Sequence, residues 1–324
     1  MHISKSATDS SQVDEDEYIF DMNRYITDDE VLPFVLNEDL QIIVGDKVFE
    51  FTQIGGFEVE FANQHRGISH VLSRLVQKAL PHYQQIKEGI TQSAFVGTDE
   101  TGMKVNGKNH WMWTWQNDEL TFIVHSDNRG FKTISDNFAN GLPNSVLQHD
   151  RFACHFNCEA IHHQICMAHL LRDLNFITEV HADCAWPFEM KAMIIAALKL
   201  KNELTTPDYY DHCQQRNSLG TQLHQLLQIE LDPEHSKART LQKSLRKHQQ
   251  YILYFLHNPK VPPDNNGSER AISNIRVKQK NPGQFKSDEG ADGFAILRSV
   301  IDTARKTGQN ILSQLLLIAK LGTE

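Results

Sequence analysis

The sequence predicts a mixed α/β fold in which an early sheet is followed by a long run of helices. Three observations lead there. Short runs of β-branched and aromatic residues at 94–98, 111–115, 120–124 and 145–148 are separated by turn residues. Beyond 152 the apolar residues recur at helical spacing. With 324 residues, 40% apolar and 23% charged, the chain can bury a core without disulfide staples.

The elements follow in order. Residues 1–30 are dominated by Ser, Asp and Glu without apolar periodicity and read as a disordered leader. Gln-Ile-Ile-Val, then Gly45-Asp46, then Lys-Val-Phe-Glu-Phe reads as a hairpin. A helix over 70–80 places Val71, Leu72, Leu75, Val76 and Leu80 at helical spacing, and Pro81 should stop it. The first main strand, 94–98, should end at Asp99. Strands at 111–115 and 120–124 follow, joined by a turn at Asn117-Asp118. A helix over 132–140 breaks at Gly141, and a fourth strand at 145–148 leads to Asp150. That order, with one acid closing the first strand and another just past the fourth, is that of a ribonuclease-H-like mixed sheet.

Helices are then expected over 190–204, 219–231 and 241–256. Pro262-Pro263-Asp264 opens another through Glu269 and Ile275, with Asp264 as its cap. Helices at 290–306 and 309–321, divided by Gly308, finish the chain. The expected divisions are an acidic segment at 1–60, a helical connector at 61–93, a catalytic domain at 94–288 with a helical insertion at about 175–260, and C-terminal helices at 289–324.

The net charge of −9 hides an uneven distribution. Residues 1–60 hold fifteen acids and three bases, whereas residues 237–286 hold eleven bases and only Asp264 and Glu269 as acids. A single-sign stretch of that size is either a solvated helical face or a surface for a polyanion such as DNA. No apolar run approaches the ~18 residues of a membrane span, so no membrane partner is expected. The N-terminus is polar and soon acidic, unlike a secretory signal. Five cysteines between Cys154 and Cys213 suit a reducing, cytoplasmic setting better than a disulfide framework.

In such a sheet the first and fourth strands are neighbours, so Asp99 and Asp150 should lie side by side. A helix packed across them can bring Glu269 to the same point. Converging carboxylates repel one another unless a hard dication neutralises them. Such a site suits phosphoryl transfer assisted by two metal ions.

Asp99-Glu-Thr-Gly102, Gly107-Lys with Trp111, Arg129-Gly130 and His149-Asp150 resemble the catalytic domain of DDE transposases of the insertion-sequence 66 family. So do the run from His163 to Leu174, the block Asp264-Asn-Asn-Gly-Ser-Glu-Arg270 and the later pieces Val277-Lys-Gln-Lys280, Gly283-Gln-Phe-Lys286, Gly290-Ala291 and Thr303-Ala-Arg-Lys306. The resemblance implies Asp99, Asp150 and Glu269 as the catalytic, metal-binding triad. Mg²⁺ is the implied cofactor, with Mn²⁺ as a substitute. DNA is the implied partner, both the element's ends and its target. Hydrolysis at the element's end would expose a 3′-hydroxyl that attacks target DNA, with no covalent enzyme intermediate. Bringing two ends together implies a homo-oligomer on DNA, with accessory proteins available for end recognition. Arg270, Arg276, Lys278 and Lys280 would contact phosphates. Asn265 and Asn266 would either fix the glutamate's helical turn or touch DNA.

Cys154, Cys158, His162 and Cys166 repeat every four residues, and Cys166 with His169 has ligand-like spacing. On one straight helix, four such ligands would be strung along ~18 Å at 1.5 Å per residue, too far for one ion. Zinc is therefore not expected, and Cys166 and His169 read as residues that support the metal-binding acids from behind or pack beside the site. Trp111, Trp113 and Trp115 alternate along one strand and read as core.

Full-length members of that family carry an N-terminal coiled coil, a cysteine-rich zinc segment and a helix-turn-helix-like region. None of these is evident here, and the acidic stretch at 1–60 would repel DNA. Ser273 stands where the family generally has arginine, and Arg151 where it has a small or aromatic residue. The alternative expectation is a catalytically silent relative that binds DNA or another transposase subunit.

Overall fold

A computed structural model describes residues 34–36, 41–44, 47–50, 65–209, 213–280 and 284–321. The first three stretches form a small antiparallel sheet of β1 (Phe34–Leu36), β2 (Gln41–Val44) and β3 (Lys47–Glu50). Val44 pairs with Lys47, as the hairpin reading requires, and β1 adds a strand that sequence pattern did not suggest. The expected leader at 1–30 lies outside the described residues.

The first long helix, α1 (His65–Thr91), runs straight through Pro81. Loss of one backbone hydrogen bond at the proline costs a helix about 3 kcal/mol. The turns beyond it bury Ile86 and Ile90 against the main sheet, alongside Trp113, Trp115 and Phe122. That burial outweighs the local break, so the expected stop at Pro81 is corrected.

The main sheet has five strands: β4 (Phe95–Val105), β5 (Lys108–Gln116), β6 (Thr121–Ser126), β7 (Leu142–His149) and β8 (Ala160–Ile165). Their spatial order is β6-β5-β4-β7-β8. The β4–β5 and β5–β6 pairs are antiparallel, and β7 and β8 run parallel to β4. This is the mixed ribonuclease-H-like sheet that the strand order predicted. The short helix α2 (Phe131–Asn137) precedes β7 and packs Ile134 into the tryptophan core. Gly141, at φ +66°, makes the turn into β7, where a side chain would also strike the Glu159 backbone.

Two expectations about this region are corrected. The first main strand does not stop at Asp99. It continues to Val105 with alternating burial, leaving Asp99 in mid-strand. The stretch after 152 is a single 3₁₀ turn, His155–Asn157, followed by the strand β8, not a straight helix.

Helices then take over: α3 (Met167–Val180), α4 (Trp186–Glu203), α5 (Gln214–Gln228) and α6 (Ser236–Lys247). Their apolar faces make one cluster that includes Leu170, Trp186, Met190, Leu227 and Leu245. The helix expected to reach 256 ends at Lys247 and gives way to 3₁₀ turns, where Phe255 and Leu256 bury into that cluster. The chain returns to the sheet with α7 (Asn266–Lys280) and closes with α8 (Asp288–Lys306) and α9 (Ile311–Lys320). Ser299 and Thr303 of α8 accept the Ile123 and Thr121 amides of edge strand β6, so that edge is covered. No described helix is long and apolar enough to cross a membrane.

Candidate active site

β4 and β7 pair in parallel, with Val96 opposite Leu147 and Gly97 opposite Gln148. Two positions further on stand Asp99, still within β4, and Asp150, one residue past the end of β7. Beyond Gly97 the pairing with β7 ceases, while β4 stays paired with β5 to its end. Asp99 therefore sits where two neighbouring strands part. The Asp99 side chain accepts the Glu100 amide (2.9 Å) and that of Asp150 accepts the Phe152 amide (2.8 Å). Arg151, between them, holds a positive φ of 81° and pairs with Asp173.

Glu269 arrives in the first turn of α7, where the partial positive charge of the helix end favours an acid. The segment leading into α7 is fastened to the strands that carry the other two acids. Gln148 donates to the Pro262 carbonyl (2.7 Å) and the Met167 amide donates to that of Pro263 (2.9 Å). The Asn265 amide donates to Cys166 Sγ (3.2 Å), and its side-chain Nδ2 donates to the Thr98 carbonyl (2.8 Å). Asn265, 1% exposed, occupies the capping position, its carbonyl accepting from Ser268 and Glu269. Asp264, expected as the cap, instead accepts the Asn266 amide in a turn one residue earlier. Gly97 makes the close approach possible, since a Cβ there would lie 2.4 Å from Asn265 Oδ1 and 2.7 Å from Gln116 Nε2.

Asp99 is 9% exposed, and its carboxyl is pushed up to about 7. Burial is the main cause, followed by the negative charges of Asp150, Glu100 and Glu269. Among the described residues no ion pair is recorded for Asp99 or Asp150. Glu269 pairs with Arg172 (2.6 Å) and lies 3.7 Å from His169 Nδ1. His169 is held below its ordinary value by burial and then by Arg172. The three carboxylates do not close to within 4.8 Å of one another. Ligands shared between two dications, themselves ~3.5–4 Å apart, are not required to. A carboxyl raised by burial and by its acidic neighbours, with no basic partner among the described residues, suits a hard dication with oxygen ligands.

The remaining expected residues fall as follows. Asn265 has its side chain committed inside the protein, so of the two roles read from sequence it has the geometry of the one that fixes the helical turn. Asn266 and Arg270 are exposed on α7, and Arg276 is exposed with Nε 3.5 Å from Thr101 Oγ1. Lys278 and Lys280 lie in the last turns of α7, with side chains outside the described residues. Cys166 is buried behind the site, its thiol raised by burial. Trp113 and Trp115 are fully buried and Trp111 partly so.

Cys154 and Cys158 are buried in the tryptophan core, their thiols pushed up to about 12 and about 11 by burial. The straight helix assumed for this block does not exist. Among the described residues the donor atoms that meet within 4.8 Å belong to another set: His110, His125 and Asp288.

Sequence reasoning missed the Glu100 anchor. Neighbouring residues on a strand face opposite ways, so Glu100 turns away from Asp99. It meets Arg129 at Oε1 (3.0 Å) and the buried His155 at Oε2 (3.2 Å). The signal available was the period of two: once β4 runs through 99, residue 100 must face the other side.

A search of curated proteins found no match to the chain. A family model described as Transposase IS66 family matches residues 60–293, which takes in α1, the whole sheet, Asp99, Asp150 and Glu269. With most of its length inside that match, the chain belongs to the IS66 transposase family.

Proposed function

We propose that this protein cuts and joins DNA by a divalent-metal-assisted reaction in which Asp99, Asp150 and Glu269 hold the metal, Mg²⁺ by preference and Mn²⁺ as a substitute. The observation that supports this reading is Asp99: buried in mid-strand and raised to about 7 by burial and by the other acids. When bound, the metal supplies charge neutralisation and Lewis acidity for in-line displacement at phosphorus.

The chain's own residues position that chemistry. Thr98 and Asn265 hold Asp99 and the Glu269 turn together. The Phe152 amide orients Asp150. Arg172, 60% exposed and paired with Glu269, would be able to turn to a DNA phosphate if Glu269 held a metal. Asn266, Arg270 and Arg276 face outward along α7, and with Lys278 and Lys280 they give the DNA path its phosphate contacts. Arg246, also in the basic stretch, is exposed but donates its guanidinium to the Leu227 carbonyl. Two such chains would hold the element's two ends, with accessory proteins assisting end recognition.

The test is a cleavage and strand-joining assay with end-labelled DNA carrying the neighbouring element's termini, in Mg²⁺ or Mn²⁺, with Glu269→Gln beside the native protein. Nicking and joining, both lost in the variant, are the expected result. DNA binding without any cleavage that depends on the three acids would replace this reading with that of a silent relative.

A further inference from the structure

We propose that His110, His125 and Asp288 bind one borderline transition-metal dication, zinc in the first instance, at a site separate from the three catalytic acids. His110 lies on β5 and His125 on β6. His125 is paired with Met112, two residues from His110 on the same strand face, so the two imidazoles are diagonal neighbours. Their rings stack with centroids 5.0 Å apart and planes 10° apart. Asp288 reaches them from the first turn of α8.

The three donor atoms form a compact triangle. His110 Nδ1 is 2.8 Å from His125 Nε2, and Asp288 Oδ1 is 3.6 Å from the first and 3.9 Å from the second. Ligands at ~2.0–2.1 Å from a tetrahedral zinc ion stand ~3.3 Å apart, close to the mean of this triangle. The other ring nitrogen of His125, Nδ1, lies 2.8 Å from Asp292 Oδ1. A carboxylate there fixes the tautomer with Nδ1 protonated, the arrangement found behind metal-binding histidines. Nε2 then accepts from His110 Nδ1–H, and a metal ion would displace that one proton. Both imidazoles are almost fully enclosed, whereas Asp288 is 66% exposed, leaving an approach from solvent and a fourth position for water.

The two metal sites differ in chemistry and place. Imidazole with one carboxylate suits zinc and its neighbours, while an all-carboxylate set suits magnesium. His110 pairs with Met103, four residues along β4 from Asp99, roughly 13 Å at ~3.3 Å per residue. The ion would join two strands of the sheet to the start of α8, just past Phe285, which bridges to Val105 at the end of β4. It would thus clamp the segment that follows the Glu269 helix. None of the buried cysteines takes part, and the inference does not depend on the proposed activity.

The experiment is zinc titration of the metal-free full chain in excess Mg²⁺, read by calorimetry and by metal analysis after dialysis. The expected result is one zinc per chain, kept by the double variant Asp99→Asn, Glu269→Gln and lost in His110→Gln, His125→Gln. Asp292→Asn should weaken binding by about 10–100-fold, and Asp288→Asn should weaken it further. Cobalt at the same site should show tetrahedral visible absorption. Absence of saturable zinc overturns the proposal. So does zinc that survives loss of both histidines, or zinc that leaves with the catalytic acids. If the double histidine variant fails to fold by circular dichroism, the exposed Asp288 and Asp292 variants decide, and unchanged affinity in both overturns it.

Discussion

The side-chain amide of Asn265 donates to the backbone carbonyl of Thr98 at 2.8 Å, joining the residue before Asp99 to the cap of the helix that carries Glu269. Two acids far apart in sequence are thereby held through one buried hydrogen bond. Asn265→Ala should strand the Thr98 carbonyl and the Ser268 hydroxyl, at a cost of about 1–3 kcal/mol. Urea denaturation should show that loss. Metal-dependent nicking should fall by more than the unfolded fraction explains, because the remaining folded protein has lost the tie.

Gly97→Ala tests the same junction from the strand side. The added methyl would meet Asn265 Oδ1 at 2.4 Å, Gln116 Nε2 at 2.7 Å and Ser268 Oγ at 3.0 Å. A packed junction relieves such a clash by moving the helix, at about 1–3 kcal/mol. The expected outcome is a folded protein with a lowered melting temperature and little cleavage. Native activity at native stability would show that α7 does not need this close approach.

Glu100 and Asp99 are adjacent in sequence and should behave differently. Glu100→Gln breaks a pair whose carboxylate is 2% exposed while Arg129 remains half in solvent. The expected cost is about 3 kcal/mol, the lower end for a buried ion pair. Mg²⁺ affinity, measured by titration of the folded variant, should change far less than in Asp99→Asn, because this side chain faces away from the three acids and acts on Asp99 only through its charge. A loss of metal affinity equal to that of Asp99→Asn would place Glu100 among the ligands instead.

Buried imidazoles make the fold acid-sensitive. His163 is lowered to about 4, chiefly by burial and then by His162, and His149 is lowered by burial and then by His155. A folded-state value below the unfolded one means that the unfolded chain takes up the protons first. These imidazoles should therefore cost stability as pH drops from about 6.5 toward about 4, opposed by Asp99, whose raised carboxyl lets the folded state take up one proton first. Urea midpoints across that window should show the slope, and His163→Gln should flatten it.

Period and turn chemistry made the main sheet legible in the sequence. Trp111, Trp113 and Trp115 alternate, Asn117-Asp118 turns the chain, and Gly141 makes the turn into β7, although the short helix before it ends already at Asn137 and not at 140. The end of β4 was hidden because Gly102 and Lys104 face outward and break an apolar run that the buried Met103 and Val105 continue. Pro81 misled because tertiary burial of Ile86 and Ile90 overrules a local helix breaker. Strand β8 was missed because Ala-Ile-His-His-Gln-Ile carries its burial on histidine and glutamine, which pattern reading treats as polar. The strand order and the late helix let the sequence expect Asp99, Asp150 and Glu269 on adjoining elements, and β4, β7 and α7 do adjoin. What held them could not be read, because the Asn265–Thr98 bond and the Glu100–His155 contact depend on which strand faces are apposed. The diagonal between His110 and His125 likewise exists only once the β5–β6 register is known.

Helix α7 is tied to β4 near both its ends: Asn265 bonds to Thr98, and beyond its last turn the Phe285 backbone bonds to Lys104 and Asn106. Both fastenings lie late in the chain, past the helices of the 167–247 stretch. Chains leave the ribosome N-terminus first and fold as segments emerge. During synthesis the sheet can therefore form with Asp99 and Asp150 in place while the third acid is still unmade. The helix that carries Glu269 is thus made after all five strands of the main sheet, and both of its fastenings can close only once the chain has been synthesised past Phe285.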